Sequence, residues 1–578
     1  MNYGPTTSFS QHLHATKYRG EGESFPEYAN RVASALAGEP EHFRPFREVL
    51  RTMRFLPGGR VQSAIGSSRD TSAYNCFVSA SIGDKLTGEG SIMQRAQEAA
   101  RTMQLGGGIG YDFSTLRPRG DLIRSLGSRS SGPISFMGIF DAICGTIASA
   151  GHRRGAQMAV LRVDHPDIEE FIRCKQNQDR LTGFNISVGI TDEFMEAVRY
   201  DNPFELRFNG TVYRTVRARD LWETIMRSTW EWAEPGVLFI DRINGQNNLW
   251  YCEEIAATNP CGEQPLPPNG ACLLGSFNLT KYLTSEWIED GDYGSGWKNT
   301  FDFEQFREDI PVVVRAMDRV IDVTNYPLAS QEAEAKSKRR MGLGVCGLAN
   351  TAEVMGMPYG SEEFLAFEEK VLRTLRDEAY LASALLAQEL GAFPEYRDEY
   401  LSSEFLQDLP DETKELISRY GIRNSHLTSI APTGTISLVA DNVSSGIEPV
   451  YLHEQMRTIQ TFDGPEEHRL QDWAYREHGV RGRTASEVSA EEHIAVLTTA
   501  QRFMDSSVSN TCNVSPDMPW EDFKQLYFQA YEGGAKGCTT FNPGGKRFGI
   551  IREASPETSS SNESCKINPE TGERSCGD

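Results

Sequence analysis

No CxxC pair occurs among the eleven cysteines, and no Cys/His cluster has zinc spacing. That removes structural zinc sites and thioredoxin-like redox motifs from the candidate chemistries. No run of 18 apolar residues exists, and the opening "MNYGPTTSFSQHLHATKYRGEGESF" holds no apolar segment of the kind a signal peptide needs. The sequence therefore predicts a soluble, cytoplasmic protein without a membrane partner. No block of Lys or Arg stands out, and the net charge is -23, so nucleic acid is not an expected partner. There is no internal repeat. In a reducing compartment the cysteines stay thiols, and most thiols are small core residues.

What is present is an alternation of strand-like and helix-like segments, which predicts an α/β architecture. At 578 residues the chain has room for two to four domains or one large α/β unit. "AQMAVLRV" (156–163) is an extended apolar run, and the following "DHPDIEEFIRCK" predicts a helix with Asp164 or His165 before Pro166 at the first helical position. "RDLWETIMRSTWEW" sets Trp222, Ile225, Met226 and Thr229 on one helical face, and "PGVLFIDRIN" reads as the buried strand after it. The longest helix is predicted over 361–390, ended by Gly391. From Ala554 onward the chain is rich in Ser, Glu, Thr, Pro and Gly, contains no aromatic residue, and reads as a flexible tail. That tail carries Cys565 and Cys576.

"NPCGE" (259–263) concentrates an amide, a thiol and a carboxylate. If the chain stays extended after Pro260, then Asn259, Cys261 and Glu263 share one face at i, i+2 and i+4. Such a trio suits a polyhydroxylated ligand: the amide donates and accepts, and the carboxylate takes a proton from a hydroxyl. On these residues alone a Pro/Gly turn with an incidental core cysteine is an equal reading. "PTGTIS" offers the hydroxyls of Thr433, Thr435 and Ser437 and the amides around Gly434, and a helix starting there would attract an anion. "GHRRGAQM" sets Arg153 and Arg154 between Gly151 and Gly155, and by itself reads as a solvated basic loop.

Taken together, five stretches in order resemble one family, the ribonucleotide reductase catalytic subunit, over roughly residues 50–545 of the chain. "SAYNCFV" with Cys76 and "NGACLLGSFNL" with Cys272 resemble the family's reducing pair of cysteines, flanking a loop whose thiyl-radical cysteine is here Cys261. "GGGIGYDFSTLRPRGD" is similar to the family's glycine-rich segment. "APTGTISLVADNVSSGIEPVY" resembles the substrate-phosphate segment, with Thr433, Gly434, Thr435, Ile436 and Ser437. "GHRRGAQMAVLRVDHPDIEEFI" resembles the loop that couples a deoxynucleotide effector to substrate choice.

The resemblance implies that Cys261 removes the ribose 3'-hydrogen, that Glu263 is the base for the 3'-hydroxyl and that Asn259 bonds the ribose. Cys76 and Cys272 become a disulfide at each turnover, and Cys565 and Cys576 reduce it by thiol exchange, served by a thioredoxin-like or glutaredoxin-like reductant. The implied fold is a ten-stranded α/β barrel of two five-stranded parallel halves, with the Cys261 loop as a central finger. The implied division is an N-terminal helical region (1–50), a catalytic domain (51–553) and a redox-active tail (554–578).

Members of this family differ in radical source. The class served by a separate metal subunit passes the radical through two adjacent tyrosines, but no Tyr-Tyr pair exists here and no Tyr follows Tyr531; Thr540 and Phe541 stand in the corresponding stretch. The glycyl-radical class needs a buried C-terminal glycine loop, and "RSCGD" ends one residue after Gly577. The expectation is the adenosylcobalamin-dependent class, with cobalt entering only through the cofactor and no protein-bound metal. About fifty residues precede the first match, too few for a separate ATP-binding regulatory domain. The assembly is expected to be a monomer or homodimer. Alternatives are the large subunit of a metal-subunit-dependent reductase, a catalytically inactive nucleotide-binding protein, and a disulfide oxidoreductase.

Overall fold

A computed structural model of the chain describes residues 3–124, 126–149, 153–154, 156–176, 180–288, 296–461, 464–546, 552–553, 566–567 and 574–575. Its framework is a pair of parallel strand groups. In the first, Cys76–Val78, Gly108–Asp112, Gln157–Arg162, Phe184–Ile190 and Gly236–Phe239 pair in that order, each parallel to the next. Their sequences are near-continuous apolar runs because helices cover one side and a second core fills the other.

The second group begins at Leu274–Asn278, parallel to Gly342–Cys346. Parallel bridges carry the pairing onward from Leu343 to Thr428 and from Ile430 to Val508, and Thr511–Asn513 lies parallel to Gly537–Phe541. Two antiparallel seams join the groups: Gly236–Phe239 pairs with Gly537–Phe541, and Ala271–Cys272 pairs with Cys76–Val78.

Alternation along these strands sorts side chains between two cores. Phe77, Ala159, Leu161, Val237 and Leu273 face the large outer core with the helices. Val78, Met158, Val160, Leu238, Cys272 and Leu274 face a smaller inner core shared with Ala257 and Leu266, with Cys76 packed against it. The inner core surrounds the stem of the loop that carries Cys261.

Three helices, Ser8–Tyr18, Phe25–Leu36 and Pro40–Arg51, precede the first strand. Their Leu13, Val32 and Phe46 belong to the large core. The long helix spans Glu362–Leu390, with the Ser361 side chain accepting the Phe364 N–H and Gly391 at φ +85° ending it, as its sequence predicts. Two boundaries differ from the sequence reading. The strand read over 235–244 stops at Phe239 and Ile240–Gly245 is helical, because Asn244 turns back, donating to the Ile240 carbonyl and accepting the Ile255 N–H. The helix expected to open at Pro166 spans Ile168–Arg173; the His165 ring accepts the Asp167 N–H and meets the Leu116 carbonyl, holding an extra turn ahead of it.

At the far end, Arg552–Glu553 pairs antiparallel with Gln455 and Met456 of the hairpin strand Glu454–Thr461. Among the described residues no helix is long and apolar enough to cross a membrane.

Candidate active site

Strands Ala257–Thr258 and Pro265–Leu266 pair antiparallel and carry residues 259–264 as a loop. Asn259 closes it. Its N–H donates to the Gln264 carbonyl (3.1 Å), its Oδ1 accepts the Gln264 N–H (3.0 Å), and its carbonyl accepts the Gly262 N–H (3.1 Å). Gly262 takes φ +82°, a left-handed conformation that glycine adopts without strain. The extended run expected at Asn259, Cys261 and Glu263 is therefore a turn. Asn259 and Glu263 are buried, whereas Cys261 is exposed at the tip.

The incoming chain is fixed as well. Burial pushes the Glu253 carboxyl up, but Arg340 and Lys338 outweigh it and hold the group below its ordinary value. Lys338 Nζ lies 2.9 Å from Glu253, and Asn247 donates to it at 2.9 Å.

Glycines in the framework make room for the loop. A Cβ on Gly110 would stand 1.8 Å from the Thr258 carbonyl oxygen, one on Gly108 would be 3.0 Å from Pro260, and one on Gly342 would be 2.5 Å from Gln264 Nε2. Strand glycines at close backbone approaches are thus a structural requirement here. Gly110→Ala is expected to cost about 3 kcal/mol, the upper part of the overpacking range, because the obstacle is backbone; urea unfolding of the variant measures it. The other attachments are polar: Asn185 Nδ2 donates to the Pro260 carbonyl (2.8 Å), and the Glu263 carbonyl accepts from Ser507 N–H and Ser429 Oγ, each at 2.9 Å.

Cys76 and Cys272 sit directly opposite each other across an antiparallel ladder. Cross-strand partners have Cα atoms about 4.5–5.5 Å apart, inside the span a disulfide bridges. Cys76 Sγ and the Pro260 ring converge on Gly108, at 3.3 and 3.0 Å from the position its Cβ would take. Burial, followed by the proximity of Glu263, Cys76 and Cys261, raises the Cys272 thiol well above its ordinary range. Two thiols, a third thiol and a carboxylate thus share one electrostatic neighbourhood.

Burial also pushes the Glu263 carboxyl up to about 7, against the opposing pull of the Asn259 side chain and a backbone N–H. Its Oε2 and the Asn259 Nδ2 are buried; the amide lies near enough to favour the carboxylate, and neither atom makes a hydrogen bond of full geometry among the described residues. Buried polar atoms left unpaired are costly in a protein alone, and a hydroxylated ligand would satisfy both.

The turn expected to meet phosphate is a short helix, Gly434–Val439, opened by Thr433 at φ +48°. The sequence offers three hydroxyls there, and two of them are held together: Thr433 Oγ1 and Ser437 Oγ lie 2.8 Å apart and share one hydrogen, leaving one O–H of the pair to donate elsewhere, and Thr433 Oγ1 accepts the Gly446 N–H at 2.7 Å. Ile436 is buried, Thr435 is half-buried and Gly434 is exposed. Arg153 and Arg154 form a two-residue strand paired with Ala148–Ser149; Gly151, Gly155 and the tail cysteines Cys565 and Cys576 lie outside the described residues. Thr540 lies on the strand Gly537–Phe541, its hydroxyl 3.0 Å from that of Tyr527. Among the described residues no group of three or more His, Cys, Asp or Glu could hold a metal ion.

Asn185, Ser429, Ser507 and the glycine cradle were not singled out by sequence. The one signal available was the Gly-X-Gly spacing inside two strands, 108/110 and 342/344, which marks close backbone approach.

Known proteins similar to this chain match it over most of its length. The vitamin B12-dependent ribonucleoside-diphosphate reductase of Thermoplasma acidophilum is 32% identical over 567 residues, an alignment covering 93% of this chain and 69% of the relative. The protein of the same name from Mycobacterium tuberculosis strain H37Rv is 33% identical over 575 residues, covering 93% and 76%. A vitamin B12-dependent ribonucleotide reductase of Rhodopirellula baltica is 27% identical, covering 83% and 53%. The family model described as ribonucleotide reductase, barrel domain, matches residues 74–472 and 474–541, and the chain belongs to that family.

Proposed function

We propose that this chain reduces ribonucleotides to 2'-deoxyribonucleotides by thiyl-radical chemistry, with adenosylcobalamin as its cofactor. The observation that carries the reading is the register of Cys76 against Cys272 beside a loop that exposes Cys261 and buries Glu263. Adenosylcobalamin, when bound, supplies the organic radical that oxidises a thiol to a thiyl. The chain fits such a group: Cys261 is the exposed member of a site whose other residues are buried or half-buried, and nothing stands within 4 Å of where a Gly262 Cβ would be.

The chain's own residues do the rest. Cys261, as a thiyl, takes the hydrogen from ribose C3', and the Glu263 carboxylate accepts the 3'-hydroxyl proton. The 2'-hydroxyl leaves as water. Cys76 and Cys272 give up two electrons and two protons and join through an S–S bond, and Cys261 returns its hydrogen to C3'. One ribonucleotide and two thiols become one deoxyribonucleotide, one disulfide and water. Asn259, through its buried Nδ2, bonds the ribose. The turn Thr433, Gly434, Thr435, Ile436 and Ser437 binds the substrate phosphate through the exposed Gly434 and Thr435 Oγ1.

The ten-stranded barrel belongs to the same reading. What supports it is the run of parallel pairings, two isolated bridges and two antiparallel seams that link the two strand groups; a barrel closed in this way would leave a centre for the Cys261 loop. The chain beyond Glu553 is read as the redox tail. Its twelve residues to Cys565 span at most about 40 Å when extended. The Arg153 region is read as an effector-responsive loop, in a monomer or homodimer. Names of three relatives make the nucleoside diphosphate the first substrate to test.

The purified chain, without oxygen and with dithiothreitol and a ribonucleotide, is expected to form deoxynucleotide only when adenosylcobalamin is added. Activity without the cofactor, or none with it, refutes the assignment of radical source.

A further inference from the structure

We propose that Asn185 is a positioning residue for the Cys261 thiol, and that the radical loop is held as a clamp with one jaw on each strand group. The proposal rests on Cys261 being the radical thiol. The loop is attached on both sides of Cys261–Gly262. On the N-terminal side, the Pro260 carbonyl accepts from Asn185 Nδ2 at 2.8 Å, and Asn185 belongs to the strand Phe184–Ile190 of the first group. On the C-terminal side, the Glu263 carbonyl accepts from Ser429 Oγ and Ser507 N–H at 2.9 Å each, and both serines lie in the bridged segments of the second group. The two anchored carbonyls are three residues apart with the thiol between them. The position of Cys261 therefore follows the separation of the two strand groups.

The two jaws are unequal. Among the described residues Glu263 O has two donors, one of them main chain, while Pro260 O has the single side-chain donor of Asn185. A carbonyl only accepts, so the Asn185 amide must present its nitrogen. Asn185 is itself exposed, and no core packing depends on it. Hydrogen abstraction is steeply sensitive to placement, with a misplacement of about 1 Å costing up to about 100-fold.

These facts separate donation from shape. Asn185→Ala removes the donor, whereas Asn185→Asp keeps the shape and sets a carboxylate against a carbonyl. We expect kcat to fall about 10-fold in the first and up to about 100-fold in the second, with KM within about twofold in both. Ser429→Ala, which leaves the Ser507 N–H in place, should lose less than Asn185→Ala. As a readout independent of turnover, iodoacetamide labelling of Cys261 in the cofactor-free chain should accelerate in both Asn185 variants, while Cys76 labelling stays unchanged. Asn185→Asp performing as well as wild type, or better than Asn185→Ala, overturns the proposal, as does unaltered Cys261 labelling in Asn185→Ala. If Asn185→Asp fails to fold, the alanine variant's kcat and labelling decide. Cys261→Ser run alongside tells the two readings apart: turnover in that variant refutes the radical thiol itself, whereas its inactivity beside a fully active Asn185→Asp refutes only the clamp.

Discussion

Replacing Cys261 by Ser is expected to lower deoxynucleotide formation by at least about 10⁴-fold, to the limit of detection, while leaving nucleotide binding intact. An O–H bond is too strong for the serine to take the place of a thiol in one-electron oxidation, so no hydrogen abstractor forms. The substitution is clean because Cys261 is exposed at a loop tip; surface changes of this size usually alter stability by less than about 0.5 kcal/mol. Cys272 offers no such test, since it is fully buried in the inner core and a hydroxyl there would need a new partner. The same variant discriminates among the alternatives. A dithiol oxidoreductase working through Cys76 and Cys272 would keep its exchange activity without Cys261. A nucleotide-binding protein without catalysis would show no turnover before the change either. Deoxynucleotide made by the serine variant would end the thiyl mechanism, whatever its rate.

Which parts of this site were legible in the sequence follows from the range of the interactions. The helix over 362–390 was readable because its cap, its stripe and its terminating glycine are local. The cysteines of the site were readable as residues, since each sits in a short distinctive stretch. Their arrangement was not. The turn at 259–264 depends on Asn259 bonding across to Gln264 and on the Gly262 conformation, and local alternation favoured an extended chain instead. Asn185 meets Pro260 across 75 residues and Ser429 meets Glu263 across 166; no local pattern encodes either. Thr433 and Ser437 show a further limit: spacing alone does not reveal that i and i+4 neighbours at the start of a helix turn toward each other and share a hydrogen.

Glu263→Gln is expected to lower kcat/KM by about 10²–10⁴-fold, the usual worth of a positioned general base, and to remove a limb from the pH profile. Burial pushes the Glu263 carboxyl up to about 7, and only the carboxylate can take the 3'-hydroxyl proton. Wild-type kcat/KM should therefore fall as pH drops through about 7, and the residual activity of the Gln variant should show no such fall. Stability should move the other way. A carboxyl whose folded pKa lies above its unfolded value favours folding most while protonated, below its unfolded pKa. That contribution is lost as pH rises through about 7. Glutamine keeps the shape without a charge to desolvate, and the backbone carbonyl held by Ser429 and Ser507 is untouched. At pH 8.5 the variant should accordingly be the more stable protein, by up to about 3 kcal/mol for a shift of this size, with the two converging below about pH 4.5. Thermal midpoints of wild type and variant, measured across that range, test the sign directly. A variant less stable than wild type at pH 8.5 would mean that Glu263 is ionised and paired in the folded protein, and that its role as a poised base is wrong.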